Sequence, residues 1–186
     1  MKLSLNQKIL TGFIACTIVL IAVAVFSFSI SEKLIDTNKW VNHTHEVLYE
    51  FEQVLAATVD AETGTRGFVI TGDESFLEPY QIAKNKLRSH LEKVKSLTLD
   101  NPVQQKNIDA LQKQIDIILK DREELIETRK KDFEKAKAII FNGNEKQTQD
   151  EVRRIITNCK NIEEELLEER KNASETDARN FNLIFI

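Results

Sequence analysis

Between Ile9 and Ser31 the chain carries no charged residue (ILTGFIACTIVLIAVAVFSFSIS). A helix rises ~1.5 Å per residue, so this run can cross a hydrocarbon core of ~30 Å. A cleaved secretory signal has an apolar core of only ~7–15 residues ending at a small-residue cleavage site. The run therefore reads as an uncleaved membrane helix over 9–31, with residues 1–8 on the cytoplasmic side. Charge alone does not orient it, because Lys2 and Lys8 on one side are matched by Lys33 and Lys39 on the other. Long domains translocate largely regardless of charge, which lets residues 32–180 lie outside. Residues 181–186 (FNLIFI) turn apolar abruptly after a charged stretch. Six residues cannot span a bilayer, so the expectation is the truncated start of a second transmembrane helix.

What lies between the two apolar ends reads as long helices. Five glycines and two prolines in 186 residues, with 30% charged residues, leave few turns. Leu34, Thr37, Val41, Thr44, Leu48, Phe51, Leu55, Thr58 and Glu62 follow steps of three and four, one stripe of a helix continuous with the membrane run. A second helix carries Tyr80, Ala83, Leu87, Leu91 and Val94, and Asn101-Pro102 then supplies an N-cap and a first-position proline. A third runs from Ile108 to Ile140 and stops at Asn142-Gly143-Asn144. A fourth carries Val152, Ile155, Cys159, Ile162, Leu166 and Ala173. Short connections make neighbours antiparallel, so the fold class expected is all-α: an antiparallel up-down-up-down four-helix bundle continuous with the membrane helices. Beyond residue 31 stand 24 of the 26 basic residues and all 30 acidic ones. That acidic, mixed-sign surface argues against a nucleic-acid partner.

The backbone punctuation is concentrated in ETGTRGFVITGDESFLEPY, Glu62 to Tyr80, which holds three of the five glycines and one of the two prolines. The first helix reaches Gly64 about 45 Å from the bilayer, so this stretch is the turn of the first hairpin. Thr71 with Glu74 and Ser75 with Glu78 are alternative capping boxes for the second helix, and Pro79 favours the later start. Glu62 and Arg66 are spaced for an i,i+4 ion pair. The same height arithmetic brings Arg129, and with it Arg153, within a turn or two of that level. Glu62, Arg66, Arg129 and Arg153 thus form a candidate polar cluster with two readings: buried ion pairs that fix helix register, or a pocket for a polar ligand.

The stretch also resembles the signature of the third class of CHASE domains, extracytoplasmic sensory domains of bacterial histidine kinases and related receptors. The likeness rests on E-T-G-x-R-G-F, T-G and F-L-x-P-Y: Glu62, Thr63, Gly64, Arg66, Gly67, Phe68, Thr71, Gly72, Phe76, Leu77, Pro79 and Tyr80. The resemblance implies a sensor of 32–180 outside the bacterial inner membrane, working as a homodimer on an unidentified small-molecule or protein stimulus. It implies a parent histidine kinase; a chemoreceptor, a cyclic-nucleotide enzyme or a non-sensing dimerisation scaffold are the alternatives. The motif residues come with a structural meaning and no established ligand.

Other polar residues carry less. His43 and His45, two apart, point to different helix faces and do not make an i,i+4 metal pair. Cys16 in the membrane run and Cys159 on a core stripe cannot pair, and Cys159 reads as a small buried apolar group. Trp40 reads as packing at the base of the bundle or against a second subunit. With no nucleophile triad, phosphate loop or metal-spaced carboxylates, the expectation is a non-enzymatic fragment without cofactor or metal.

Overall fold

A computed structural model describes residues 4–141 and 144–184. Among them there is no strand. The elements are α1 (Leu5–Thr71), a 3-10 turn (Glu74–Phe76), α2 (Leu77–Leu97), α3 (Pro102–Lys131), α4 (Phe133–Phe141) and α5 (Asn144–Ile184). Packing divides the chain into two units: α1 up to Asn42 with α5 from Glu168 onward, and His43–Leu167.

In the His43–Leu167 unit, one apolar core draws Val47, Phe51, Val54 and Ala61 from α1, Tyr80, Leu87, Leu91 and Val94 from α2, Ile108, Leu111, Ile115 and Ile118 from α3, and Val152, Ile156 and Cys159 from α5. The stripe on α1 is rotated from the expected one. Thr44, Phe51 and Thr58 are buried as expected, but their partners are Val47, Val54 and Ala61, and Leu48, Leu55 and Glu62 sit half-buried at the edge. Steps of three from Thr44 and Phe51 select the small and β-branched side chains. These let the helices approach closely, which the bulkier leucines would resist.

Polar pairs set the direction of neighbours. Glu46 meets Lys93 at 3.0 Å and Glu50 meets His90 Nδ1 at 2.6 Å, while Gly64 lies against Tyr80, so α1 and α2 run antiparallel. Lys95 pairs with Asp109 at 2.6 Å and Lys84 with Glu123, so α2 and α3 do too. Gln104 Nε2, fully buried, donates 2.8 Å bonds to the Cys159 carbonyl and the Glu163 carboxylate, tying α3 to α5. Asn101 Oδ1 accepts from Val103 N and Gln104 N at 3.1 Å, capping α3 ahead of Pro102 as expected.

The third segment is not one helix to Ile140. Asp132 takes an extended conformation (φ −153°, ψ 105°), closes α3 by donating its N–H to Thr128 O at 2.8 Å, and opens α4 by accepting from Lys135 N at 3.0 Å. Its short side chain competes for backbone N–H groups, an alternative to helix that apolar periodicity does not register. α4 turns Ala136 onto a small core with Val69 and Leu125. The expected stop at Asn142-Gly143 lies outside the described residues.

In the other unit, the apolar run of α1 keeps its side chains uncovered: Phe13 is 71% and Phe28 66% exposed. By length and composition the helix can cross a membrane. The Arg170 guanidinium of α5 stacks 3.7 Å from the centre of the Trp40 ring. Of the expected second membrane helix, the backbone of α5 runs to Ile184, and residues 185–186 lie outside the described residues.

Candidate functional site

The end of α1 is built by the residues of the opening motif. Thr71 Oγ1 donates to Gly67 O at 2.8 Å and accepts from Asp73 N at 3.1 Å. Gly72 follows with φ +74°, a left-handed conformation that favours glycine, and its N–H returns to Phe68 O at 2.8 Å. Asp73 Oδ1 then accepts from Ser75 N at 2.9 Å, and these Ser75 bonds hold its carboxyl below the ordinary value. Asp73 therefore caps the restart, in place of the Thr71 or Ser75 boxes. Pro79 falls in the first turn of α2, where the missing N–H costs no helical bond.

Close approach explains the rest of the motif. A Cβ at Gly64 would lie 2.8 Å from Phe76 O and 3.1 Å from Tyr80 N, and one at Gly67 would enter the Phe76 ring. Phe68 and Tyr80 are buried in the core, Leu77 packs against it, and Thr63 is exposed.

Of the expected polar cluster, Glu62 and Arg66 meet at 2.7 Å. Arg129 donates its Nε to Val69 O at 2.6 Å and lies 4.7 Å from the centre of the Phe133 ring. It thereby supplies a donor and a positive charge to the carbonyl end of α1. The guanidinium also fills the space beside Gly72, where a Cβ would stand 2.6 Å from Nη2. Arg153 is exposed on α5.

Sequence reasoning missed a second polar group, on α2 and α3. Leu77, Tyr80, Gln81, Lys84, Glu123, Ile126, Glu127 and Lys130 line a groove of about 300 Å3. Lys84 pairs with Glu123, and Lys130 with Glu127 at 3.0 Å. Tyr80 is 2% exposed, and its buried hydroxyl has the Glu123 carboxylate as its hydrogen-bond acceptor. Burial first, then the Glu123 carboxylate, push its pKa up to about 12 against the opposing charge of Arg122. Arg122 itself is buried in α3, 1% exposed. Spacing held the only signal: residues 77, 80, 81 and 84 and residues 123, 126, 127 and 130 each share one helix face.

The CHASE3 domain family matches residues 37–173. This chain belongs to the CHASE3 family. As a CHASE3 domain it is a sensor domain of a signalling receptor. Among solved structures, the CHASE3 chain is similar to the sensor domain of histidine kinase HK9 of Rhodopseudomonas palustris, with a TM-score of 0.64 and 23% identity over 67% of this chain and 98% of that one. That likeness is one of fold. No curated protein matches the chain.

Proposed function

We propose that this CHASE3 chain is the extracytoplasmic sensor region of a bacterial histidine kinase, that residues 9–31 cross the inner membrane, and that residues 32–180 stand outside it. The family match over 37–173 carries the reading, because it begins soon after an apolar run whose side chains are almost all exposed. Exposed apolar surface of that extent requires lipid or a protein partner. A kinase as effector draws its support from the histidine kinase sensor domain that shares the fold.

In this reading α1 and α5 relay the signal within a homodimer. A stimulus acts only by binding one arrangement of the two helices better than another. Arg129, bonded from α3 to the Val69 carbonyl, ties the end of α1 to its neighbour, so that a shift of α1 is delivered along its length and not lost in the turn. The stack of Arg170 on Trp40 supports pairing of the two helices in the unit that contains the apolar run.

The test is mechanical. In the full receptor, with Cys16→Ser as background, Trp40→Cys and Arg170→Cys are joined by a short bis-maleimide, and autophosphorylation is followed with and without cross-linking. Output frozen in one state is the expected result; output unchanged by the cross-link counts against the relay.

A further inference from the structure

In the His43–Leu167 unit, α1, α2, α3 and α5 each turn one seven-residue row away from the core, and the row on α1 differs from the rest. The core seam of α1 runs through Val47, Phe51, Val54, Thr58 and Ala61, all buried, in steps of three and four. Opposite that seam stand Tyr49, Ala56, Thr63 and Ile70, all exposed and none of them charged. The corresponding exposed rows are Asn85 and Glu92 on α2, Lys106, Lys113, Lys120 and Glu127 on α3, and Gln147, Arg154 and Asn161 on α5. Three helices therefore hold charge where a helix meets water, and α1 does not.

The charges on one border of the α1 row are paired within the chain. Glu52 meets Lys160 of α5, Arg66 meets Glu62 at 2.7 Å, and Val59, 37% exposed, stands between them. Asp60 lies on the other border, exposed, where it can stay in water. A neutral row with neutralised flanks is complementary to its own image. A two-fold axis parallel to the helix sets each residue against its counterpart, so any charge on the row would face a like charge. Ala56 and Thr63 are small enough for two helix axes to approach closely, and Tyr49 supplies an aromatic contact of the kind enriched at interfaces. Two copies that enter one membrane by the N-terminal part of α1 have their α1 helices parallel, as this axis requires.

We propose that the outward row of α1 is the dimer surface of this domain and receives the α1 of a second copy in parallel, with Tyr49, Ala56, Thr63 and Ile70 each meeting its own counterpart across the two-fold axis. The proposal rests on the membrane-anchored homodimer reading above for the direction of the two chains, and adds to it the face that is covered.

Oxidative cross-linking of the full chain in membranes tests it, with Cys16→Ser as background and Cys159 buried out of reach. A disulfide needs its two Cα atoms within about 7 Å, so Ala56→Cys and Thr63→Cys should form a covalent dimer at least about tenfold faster than Asn161→Cys, on the outward row of α5. Ala56→Glu sets a carboxylate against its own copy and should weaken dimerisation at least about tenfold, read by sedimentation equilibrium in detergent micelles. Ala110→Glu, the same change on an exposed face of α3, should leave dimerisation as it is. Circular dichroism checks that both glutamate variants keep their helix content. Cross-linking no faster at Ala56 and Thr63 than at Asn161, or a dimer indifferent to Ala56→Glu, overturns the surface and leaves the homodimer standing. A wild-type chain that stays monomeric overturns both. The relay is judged separately, by the Trp40–Arg170 cross-link: output frozen there, with no dimer along this row, keeps the relay and discards the surface.

Discussion

Two stretches of α1 meet opposite demands with the same backbone. From Ile9 to Ser31 the side chains are apolar all round and lie open, Phe13 and Phe28 among the most exposed in the chain. From Thr44 to Val69 only one stripe is apolar and inward, and Val47, Phe51, Val54 and Ala61 are sealed from water. A helix without sidedness needs a solvent that is apolar in every direction. A helix with one stripe needs neighbours on one side only. The two stretches differ both in total hydrophobicity and in periodicity: the first is apolar on every face and can cross a membrane by length and composition, and the second packs by one stripe.

The contrast can be broken most severely in the striped half. Phe51→Ala opens a cavity in the core and should cost about 3–5 kcal/mol, read as a lower urea midpoint with unchanged slope. In the unstriped half the same truncation at Phe28 should leave that midpoint in place. Ile21→Asp puts a charge near the middle of the apolar run and should raise the cost of membrane insertion by about 3 kcal/mol. Protease protection of the membrane-bound chain measures it, and unchanged protection would remove the membrane from the account of residues 9–31.

Alkaline pH sharpens the comparison without mutation, because the groups pushed upward belong to the packed unit. Tyr80, normally near 10, is raised to about 12, so above pH 10 the unfolded chain loses its proton before the folded one does. The folded state holds the extra proton. Stability present below pH 10 is therefore lost as pH climbs toward 12, by on the order of 2 kcal/mol. Tyr80→Phe should flatten that part of the profile. Cys159, raised by burial from 9 to about 12, should stay unreactive to iodoacetamide at pH 9 until the bundle unfolds. Gly72→Ala combines a positive φ with loss of the space that Arg129 occupies and should cost about 1–3 kcal/mol in the melting transition. Arg66→Ala removes a half-exposed ion pair and should cost under about 1 kcal/mol. A larger loss there would return the Glu62 region to the centre of the fold.

Much of this was legible before the structure. The α2 stripe at Tyr80, Ala83, Leu87, Leu91 and Val94 is buried as its spacing predicts, and Asn101-Pro102 caps α3 as its chemistry predicts. Legibility ended where two choices satisfy the same pattern. Leu48 and Leu55 fit a helical stripe as well as Val47 and Val54 do, and only close packing of neighbours decides between them. Asp132 looks like any charged residue on a helix face until its carboxylate is seen to start α4. The groove escaped for a related reason. Lys84 and Glu123 are solvated charges within their own helices, and they gain meaning only when α2 and α3 are set side by side. Arg66, between two glycines, is half exposed, while Arg122, the more deeply buried, stands in a charged run that reads as a solvated helix face.

Trp40 is the chain's single tryptophan, and a guanidinium rests on its face. An indole so placed is an intrinsic optical gauge: its emission responds to withdrawal of the cation, so any stimulus that slides one of these two helices past the other reports itself by a colour or intensity change, with no dye attached.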